Sequence, residues 1–104
     1  MVNRLEYTPQ FSRAFDFIMS CGQHYYSQST TKHFYDSLKL YKSLLQENPK
    51  IGALEPLLED TGIAFSSVVL HKYFKLIYFI EGDVIYLADI WDTRRKVENL
   101  TELY

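Results

Sequence analysis

Apolar positions are densest between Phe65 and Arg95, FSSVVLHKYFKLIYFIEGDVIYLADIWDTRR, and this stretch organises the chain. Phe65 to Leu70, Tyr73 to Glu81 and Val84 to Trp91 are apolar or β-branched runs without proline, a pattern that predicts three antiparallel strands. Gly82-Asp83 predicts a two-residue hairpin loop, because glycine enters positive φ without steric cost. Counting outward from Glu81 opposite Val84 puts Lys75 opposite Ile90 and Tyr73 opposite Asp92. Alternation with period 2 then assigns Tyr73, Lys75, Ile77, Phe79, Tyr86, Ala88 and Ile90 to one face. The other face takes Phe74, Leu76, Tyr78, Ile80, Ile85, Leu87 and Trp91, with Asp89 a misfit among them. An antiparallel sheet open on one side carries polar residues there. Two apolar faces therefore call for two covers, one from the helices of the chain and one from elsewhere.

Upstream, Met1 to Tyr7 reads as a short strand with Val2, Leu5 and Tyr7 as its apolar members. Thr8-Pro9 starts a helix, Thr as cap and Pro at the first helical position. Phe11, Phe15 and Ile18 form its stripe, and Cys21-Gly22 is the predicted stop. Gln23 to Ser29 is the expected connection. A second helix runs from Thr30 to Asn48, capped by Ser29 or Thr30, with Phe34, Leu38, Tyr41 and Leu45 inward and Lys32–Asp36 paired outside. Asn48-Pro49 ends it, since a residue before proline avoids the α region. Lys50 to Gly62 is a connector whose Leu54, Leu57 and Leu58 pack down on the core. The order β, α, α, β, β, β predicts one α+β domain over residues 1–104, a helical hairpin against an antiparallel-rich sheet.

Composition narrows the function classes. The chain has 104 residues, nine Tyr and seven Phe, a globular composition with enough length for one core. A net charge of −2 excludes a surface that is basic throughout and leaves room for a local basic patch. The single cysteine, Cys21, excludes an intramolecular disulfide. Neither a signal peptide nor a membrane span is apparent, so the expected compartment is the cytoplasm, with no membrane partner.

The charge that bears on chemistry gathers near one end of the predicted sheet: Lys72, Lys75, Arg94, Arg95 and Lys96, with His71 and Tyr73 among them. Such a cluster suits phosphate, and His or Lys suits proton transfer. Sheet ends are equally where solvated charges collect. His24, His33 and His71 have no metal-ligand spacing with one another or with Cys21, so no metal and no cofactor is expected. Glu55, Glu59 and Asp60 fit a solvated loop. No phosphate loop, nucleophile elbow or zinc motif is present.

The run HKYFKLIYFIEGDVIYLADIWDTRR, followed by Asn99-Leu100, resembles the C-terminal half of the RelE/ParE superfamily of toxins from type II toxin–antitoxin (plasmid-stabilisation) modules. The shared pattern is an aromatic-basic-aliphatic-aliphatic-Tyr strand, a short hairpin, an apolar strand, and a terminal Asp or His followed by arginines. The resemblance implies an N-terminal strand, a helical hairpin and a three-stranded antiparallel sheet packed on it. It implies a cognate antitoxin as partner. It also implies one of two activities: ribosome-dependent mRNA cleavage, or binding and poisoning of DNA gyrase. A third outcome is a toxin fold that has lost toxicity and persists as a binding partner. In the ribonuclease case Lys75 stands where those enzymes carry an arginine, Arg94 or Arg95 matches the arginine after the last strand, and His71 or Tyr73 assists. The ribonucleases carry lysines on the preceding strand at positions that fall on Ser66 and Val68. A two-residue turn at His71-Lys72 would set both on the Lys75 face, leaving that wall half basic.

The face shared by Tyr73, Ile77, Phe79, Tyr86, Ala88 and Ile90 is then expected to take its cover from an antitoxin segment, or from a second copy of the chain when the antitoxin is absent. The alternative cover is the connector from Lys50 to Gly62 or the tail from Val97 to Tyr104.

Overall fold

In a computed structural model of the protein, residues 3–71 and 73–93 are described. The order is β1 (Arg4–Tyr7), α1 (Pro9–Tyr25), α2 (Gln28–Glu47), β2 (Ala53–Leu54), a 3₁₀ segment (Pro56–Thr61), β3 (Ser66–His71), β4 (Phe74–Glu81) and β5 (Val84–Asp92). The expected N-terminal strand, helical hairpin and three antiparallel strands are all present. The connector adds one more strand, β2, and the sheet has five in the order β1-β5-β4-β3-β2. β1 lies parallel to β5, and the other neighbours are antiparallel.

Local chemistry explains most element ends. The Phe11 N–H donates to Thr8 Oγ1 at 3.1 Å, the expected cap of α1. α1 does not stop at Cys21-Gly22 but continues to Tyr25. A glycine near a helix end is tolerated at a cost of only about 1 kcal/mol. The connection therefore shrinks to Tyr26 and Ser27, and Ser27, rather than Ser29 or Thr30, caps α2 by accepting from the Thr30 N–H at 3.0 Å. Asp36 pairs with Lys39 at 4.0 Å instead of Lys32. α2 ends before Asn48-Pro49 as expected.

The β4–β5 hairpin begins as counted, Glu81 opposite Val84 through Tyr78 opposite Leu87. It then slips by one residue: Ile77 faces Asp89, Lys75 faces Trp91 and Phe74 faces Asp92. Ala88 is the extra residue of a β-bulge, and beyond it the faces of β5 exchange. Ile90 turns to the helix side, while Asp89 and Trp91 turn to the side of Ile77 and Lys75. The bulge is held from outside the hairpin. Thr8 Oγ1 donates to the Ala88 carbonyl at 2.8 Å, and the Thr8 N–H donates to the Leu87 carbonyl at 3.1 Å. The residue that caps α1 thus also anchors the bulge.

A second irregularity, between Val69 and His71, changes the β3–β4 register. His71 pairs with Phe74, Val69 with Lys75, Val68 with Leu76 and Ser66 with Tyr78. Val68 and Ser66 are therefore not on the Lys75 face, and Val68 packs in the core beneath the helices. The β3 residues on the Lys75 side are Ser67 and Val69, both uncharged.

Two apolar clusters result, one on each side of the sheet. The helix side joins Phe11 and Ile18 of α1 and Phe34, Leu38 and Leu45 of α2 to Val68, Phe74, Leu76, Tyr78, Ile85, Leu87 and Ile90. The outer side joins Ile77, Ala88 and Trp91 to Leu58 of the connector and to Phe65 just before β3, with Phe79 against them. Ile77 is completely buried. The expectation that a partner or second copy covers this face fails at its centre, where the connector of the chain is the cover. The proposed alternative cover from the tail, residues 97–104, lies outside the described residues. Phe79 and Tyr86, stacked at 4.9 Å, remain half-buried beyond the connector.

Candidate functional site

The connector reaches over the outer face because its apolar residues alternate with polar ones that find partners there. Glu55 follows β2 directly, and its N–H donates to the Phe65 carbonyl at 2.8 Å, closing the connector into a loop. Its side chain points down onto the sheet and is 3% exposed as a residue, not solvated as its loop position suggested. Glu55 Oε2 accepts from Lys75 Nζ at 2.8 Å and from Ser67 Oγ at 2.8 Å. Lys75, a candidate phosphate contact, is thus paired with a buried carboxylate, and only a quarter of its side chain is exposed.

A second carboxylate lies on the same side. Asp89 is 1% exposed, accepts from Trp91 Nε1 at 3.0 Å through Oδ2, and accepts from the Ile90 N–H at 2.8 Å through Oδ1. The bulge explains the apparent misfit, since it moves Asp89 out of the helix-side core and onto the face where the indole can reach it.

His71 and Tyr73 stand elsewhere. Tyr73 packs against the helix-side cluster, 5.6 Å from the ring of Tyr26, not on the Lys75 face where alternation placed it. Tyr26 donates its phenol to Asp92 Oδ2 at 2.9 Å, which ties the α1–α2 connection to the end of β5. His71 is half-buried and its ring lies 5.1 Å from that of His33 on α2. The structure separates Lys75 from His71 and Tyr73, one on the outer face and two toward the helices. Arg94, Arg95 and Lys72 lie outside the described residues. Glu55, the partner of Lys75, had one signal in the sequence: the leucines around it, which marked the connector as a segment that packs down.

Tyr78 fixes the start of the connector. Its phenol donates to the Pro49 carbonyl at 2.9 Å and accepts from the Gly52 N–H at 3.0 Å. Burial pushes this phenol above its ordinary pKa, and hydrogen bonds from the Gly52 backbone and the Ser66 side chain partly offset the rise.

An apolar cleft of about 280 Å³ opens on the other side of the molecule, between α1, α2 and the end of β1. Tyr7, Phe11, Phe15 and Tyr35 line it, with Lys42 over the Tyr7 ring at 5.1 Å and Lys39 over the Tyr35 ring at 4.9 Å. Among the described residues no group of three or more His, Cys, Asp or Glu side chains converges as a metal site. None of the described helices is long and apolar enough to cross a membrane.

No protein-family model matches the sequence. No curated protein matches it either. Among solved structures, the chain is similar to one described as "Chromosomal ParDE TA system from P. aeruginosa", with a TM-score of 0.55 and 18% sequence identity. The match covers 86% of this chain and 94% of that one. The likeness is one of fold: the chain shares the α+β architecture of that structure, with the N-terminal strand, helical hairpin and antiparallel strands that were expected.

Proposed function

We propose that this chain is the toxin component of a type II toxin–antitoxin module, and that it acts by binding a protein target. The module role rests on the shared fold with a chain of a ParDE TA system and on the C-terminal sequence pattern. The choice of a protein target rests on one observation, the buried Glu55 bonded to Lys75 at 2.8 Å. Phosphoryl chemistry on the outer face needs free positive charge aimed at the scissile phosphate. Here the sheet lysine is neutralised, and Ser67 and Val69 beside it are uncharged. DNA gyrase is the target that the family resemblance names, and the cognate antitoxin is the neutralising partner.

The competing activity is ribosome-dependent mRNA cleavage by Lys75, Arg94 and Arg95 with His71 or Tyr73. What favours it is the crowding of basic residues in the sequence around the sheet end.

Induced expression of the chain alone is expected to slow growth, and co-expression of a small adjacent reading frame to restore it. Normal growth at verified soluble expression would leave only a toxin fold without toxicity. In growth-arrested cells, protein-target action gives intact transcripts and accumulated gyrase–DNA cleavage complexes. Transcripts cut within coding regions would instead establish the nuclease. Arg94→Ala combined with Arg95→Ala should then abolish the arrest, with circular dichroism and a thermal melt used to verify that the variant is folded.

A further inference from the structure

We propose that the cleft between α1, α2 and the end of β1 binds a small aromatic monocarboxylate. This site is independent of the toxin role. Its volume of about 280 Å³ stands at the low end of small-molecule pockets, roughly 300–1,000 Å³, which suits a compact ring system.

Aromatic side chains build the cleft, and the helical hairpin sets their order. Phe11 and Phe15 stand one turn apart on α1, and Tyr7 precedes them at the end of β1. The Tyr7 and Phe11 rings stack at 5.4 Å with planes inclined by 24°, and Phe11 and Phe15 follow at 6.3 Å and 16°. Tyr35 of α2 closes the other end, 6.3 Å from Phe15. Phe11 is buried and belongs to the helix-side core, whereas Tyr7 and Tyr35 are exposed. A flat apolar ligand laid along this row gains ring contacts that the free protein leaves to water.

Charge selects among flat ligands, because the two ends of the cleft differ. Lys42 Nζ is held 5.1 Å from the centre of the Tyr7 ring, and among the described residues Lys42 makes no ion pair. Lys39, over the Tyr35 ring, pairs with Asp36 at 4.0 Å. Asp16 also lines the cleft at that end, since its neighbour Phe15 meets Tyr35. Lys42 lies two turns further along α2, about 10 Å away. The Tyr7 end therefore offers an uncompensated cation beside a ring, and carboxylates outnumber cations at the Tyr35 end. A single carboxylate at Lys42, with its ring against Phe11 and Phe15, fits both ends. A nucleotide or other polyanion would meet Asp16 and Asp36. A cation would be repelled by Lys42 at one end and would compete with Lys39 for the carboxylates at the other.

The test uses the full chain with sodium 1-naphthoate as probe and 1-naphthylmethylammonium, of similar shape and opposite charge, as control. Titration followed by nuclear magnetic resonance is expected to show one saturable site. A Kd on the order of 0.1–1 mM is expected for a ligand of about a dozen heavy atoms. The cation should bind at least about threefold more weakly, the scale of one solvent-accessible ion pair. Lys42→Gln should weaken naphthoate binding by a similar factor and leave the thermal midpoint unchanged. Ser12→Phe, at an exposed position lining the cleft, should fill it and abolish binding. If that variant fails to fold, Lys42→Gln decides alone. Absence of naphthoate binding, equal affinity for the cation, or wild-type affinity in Lys42→Gln would each overturn the site. A dimer in sedimentation that Ser12→Phe disrupts would assign the cleft to a second copy of the chain and overturn it too.

Discussion

Lys75 Nζ and Glu55 Oε2 meet at 2.8 Å on the outer face of the sheet, and the carboxylate comes from the connector, not from a neighbouring strand. The contact therefore binds a loop to the sheet as well as cancelling a charge. The two partners differ in exposure: the Lys75 side chain is 25% exposed and that of Glu55 is 1% exposed. Losing the lysine leaves a buried anion that keeps its hydrogen bond from Ser67 but has lost the charge of Lys75, and losing the glutamate leaves a cation that can extend toward water.

Lys75→Ala should thus lower stability by about 3 kcal/mol, the penalty for an uncompensated buried charge. Glu55→Leu together with Lys75→Met should lie within about 1 kcal/mol of the wild type, because apolar replacement of a whole buried pair is often neutral. Urea unfolding followed by fluorescence of Trp91, the one tryptophan and itself on the outer face, measures both. A double variant as unstable as Lys75→Ala would show that the buried carboxylate left behind is not the source of the loss.

Gly52 and Gly82 should respond differently to alanine. A Cβ at Gly52 would press on the Tyr78 phenol and lie 2.8 Å from the Ser67 carbonyl oxygen, which is backbone and cannot swing away. Overpacking of this kind costs about 1–3 kcal/mol. Gly82 has open space around it and only its φ of +62° to object, at about 1 kcal/mol. Thermal melts should place Gly52→Ala below Gly82→Ala, and the reverse order would show that the connector yields freely.

Stability should fall in alkali through Tyr78. Its folded pKa is raised above the ordinary 10.0, mainly by burial, so the unfolded phenol releases its proton first. Above pH 10 the unfolded state binds fewer protons than the native state, and stability decreases with rising pH. The contribution is complete below the unfolded pKa and is lost as pH climbs through the folded one. Tyr78→Phe should be less stable at neutral pH, having lost the bonds to Pro49 and Gly52, yet should decline less between pH 9 and 11. Parallel declines for both proteins in melts across that range, roughly one unit either side of the phenol pKa, would assign the alkaline loss to other groups.

The bulge is testable by deletion. Removing Ala88 joins Leu87 to Asp89 and leaves Asp89 opposite Ile77, Ile90 opposite Leu76 and Trp91 opposite Lys75, so the bulge disappears while every side chain keeps its face. That variant is expected to keep a cooperative unfolding transition, at a lower stability through the loss of the Thr8 bond to the Ala88 carbonyl. Asp89→Ala, which keeps the register, should fold and lose about 1–3 kcal/mol with the hydrogen bonds that Asp89 accepts from the Trp91 and Ile90 N–H groups. An Ala88 deletion that fails to fold would show that the bulge itself, and not only the side that each residue faces, is required.

The sequence by itself determined the two helices and their stripes, the Gly82-Asp83 turn and four of the five strands, all but β2. Each of these depends on residues within a few positions of one another: Thr8 capping its own helix, Phe34 and Leu38 one turn apart, Glu81 opposite Val84. It also pointed to a connector that packs down through Leu54, Leu57 and Leu58, without saying on what; Leu58 is buried as expected, whereas Leu54 is exposed. Tertiary structure decided everything downstream of a single slipped residue. Period-2 counting carries no signal for a bulge, and the bulge at Ala88 is held by Thr8, a residue from the other end of the chain. Once it is present, Trp91 and Asp89 change sides, Lys75 faces Trp91, and the outer face becomes a core that the connector closes. The pairing of Lys75 with Glu55 and the meeting of His33 with His71 arise in the same way. Both join residues whose separation along the chain is bridged only by packing, and local pattern has no term for such contacts.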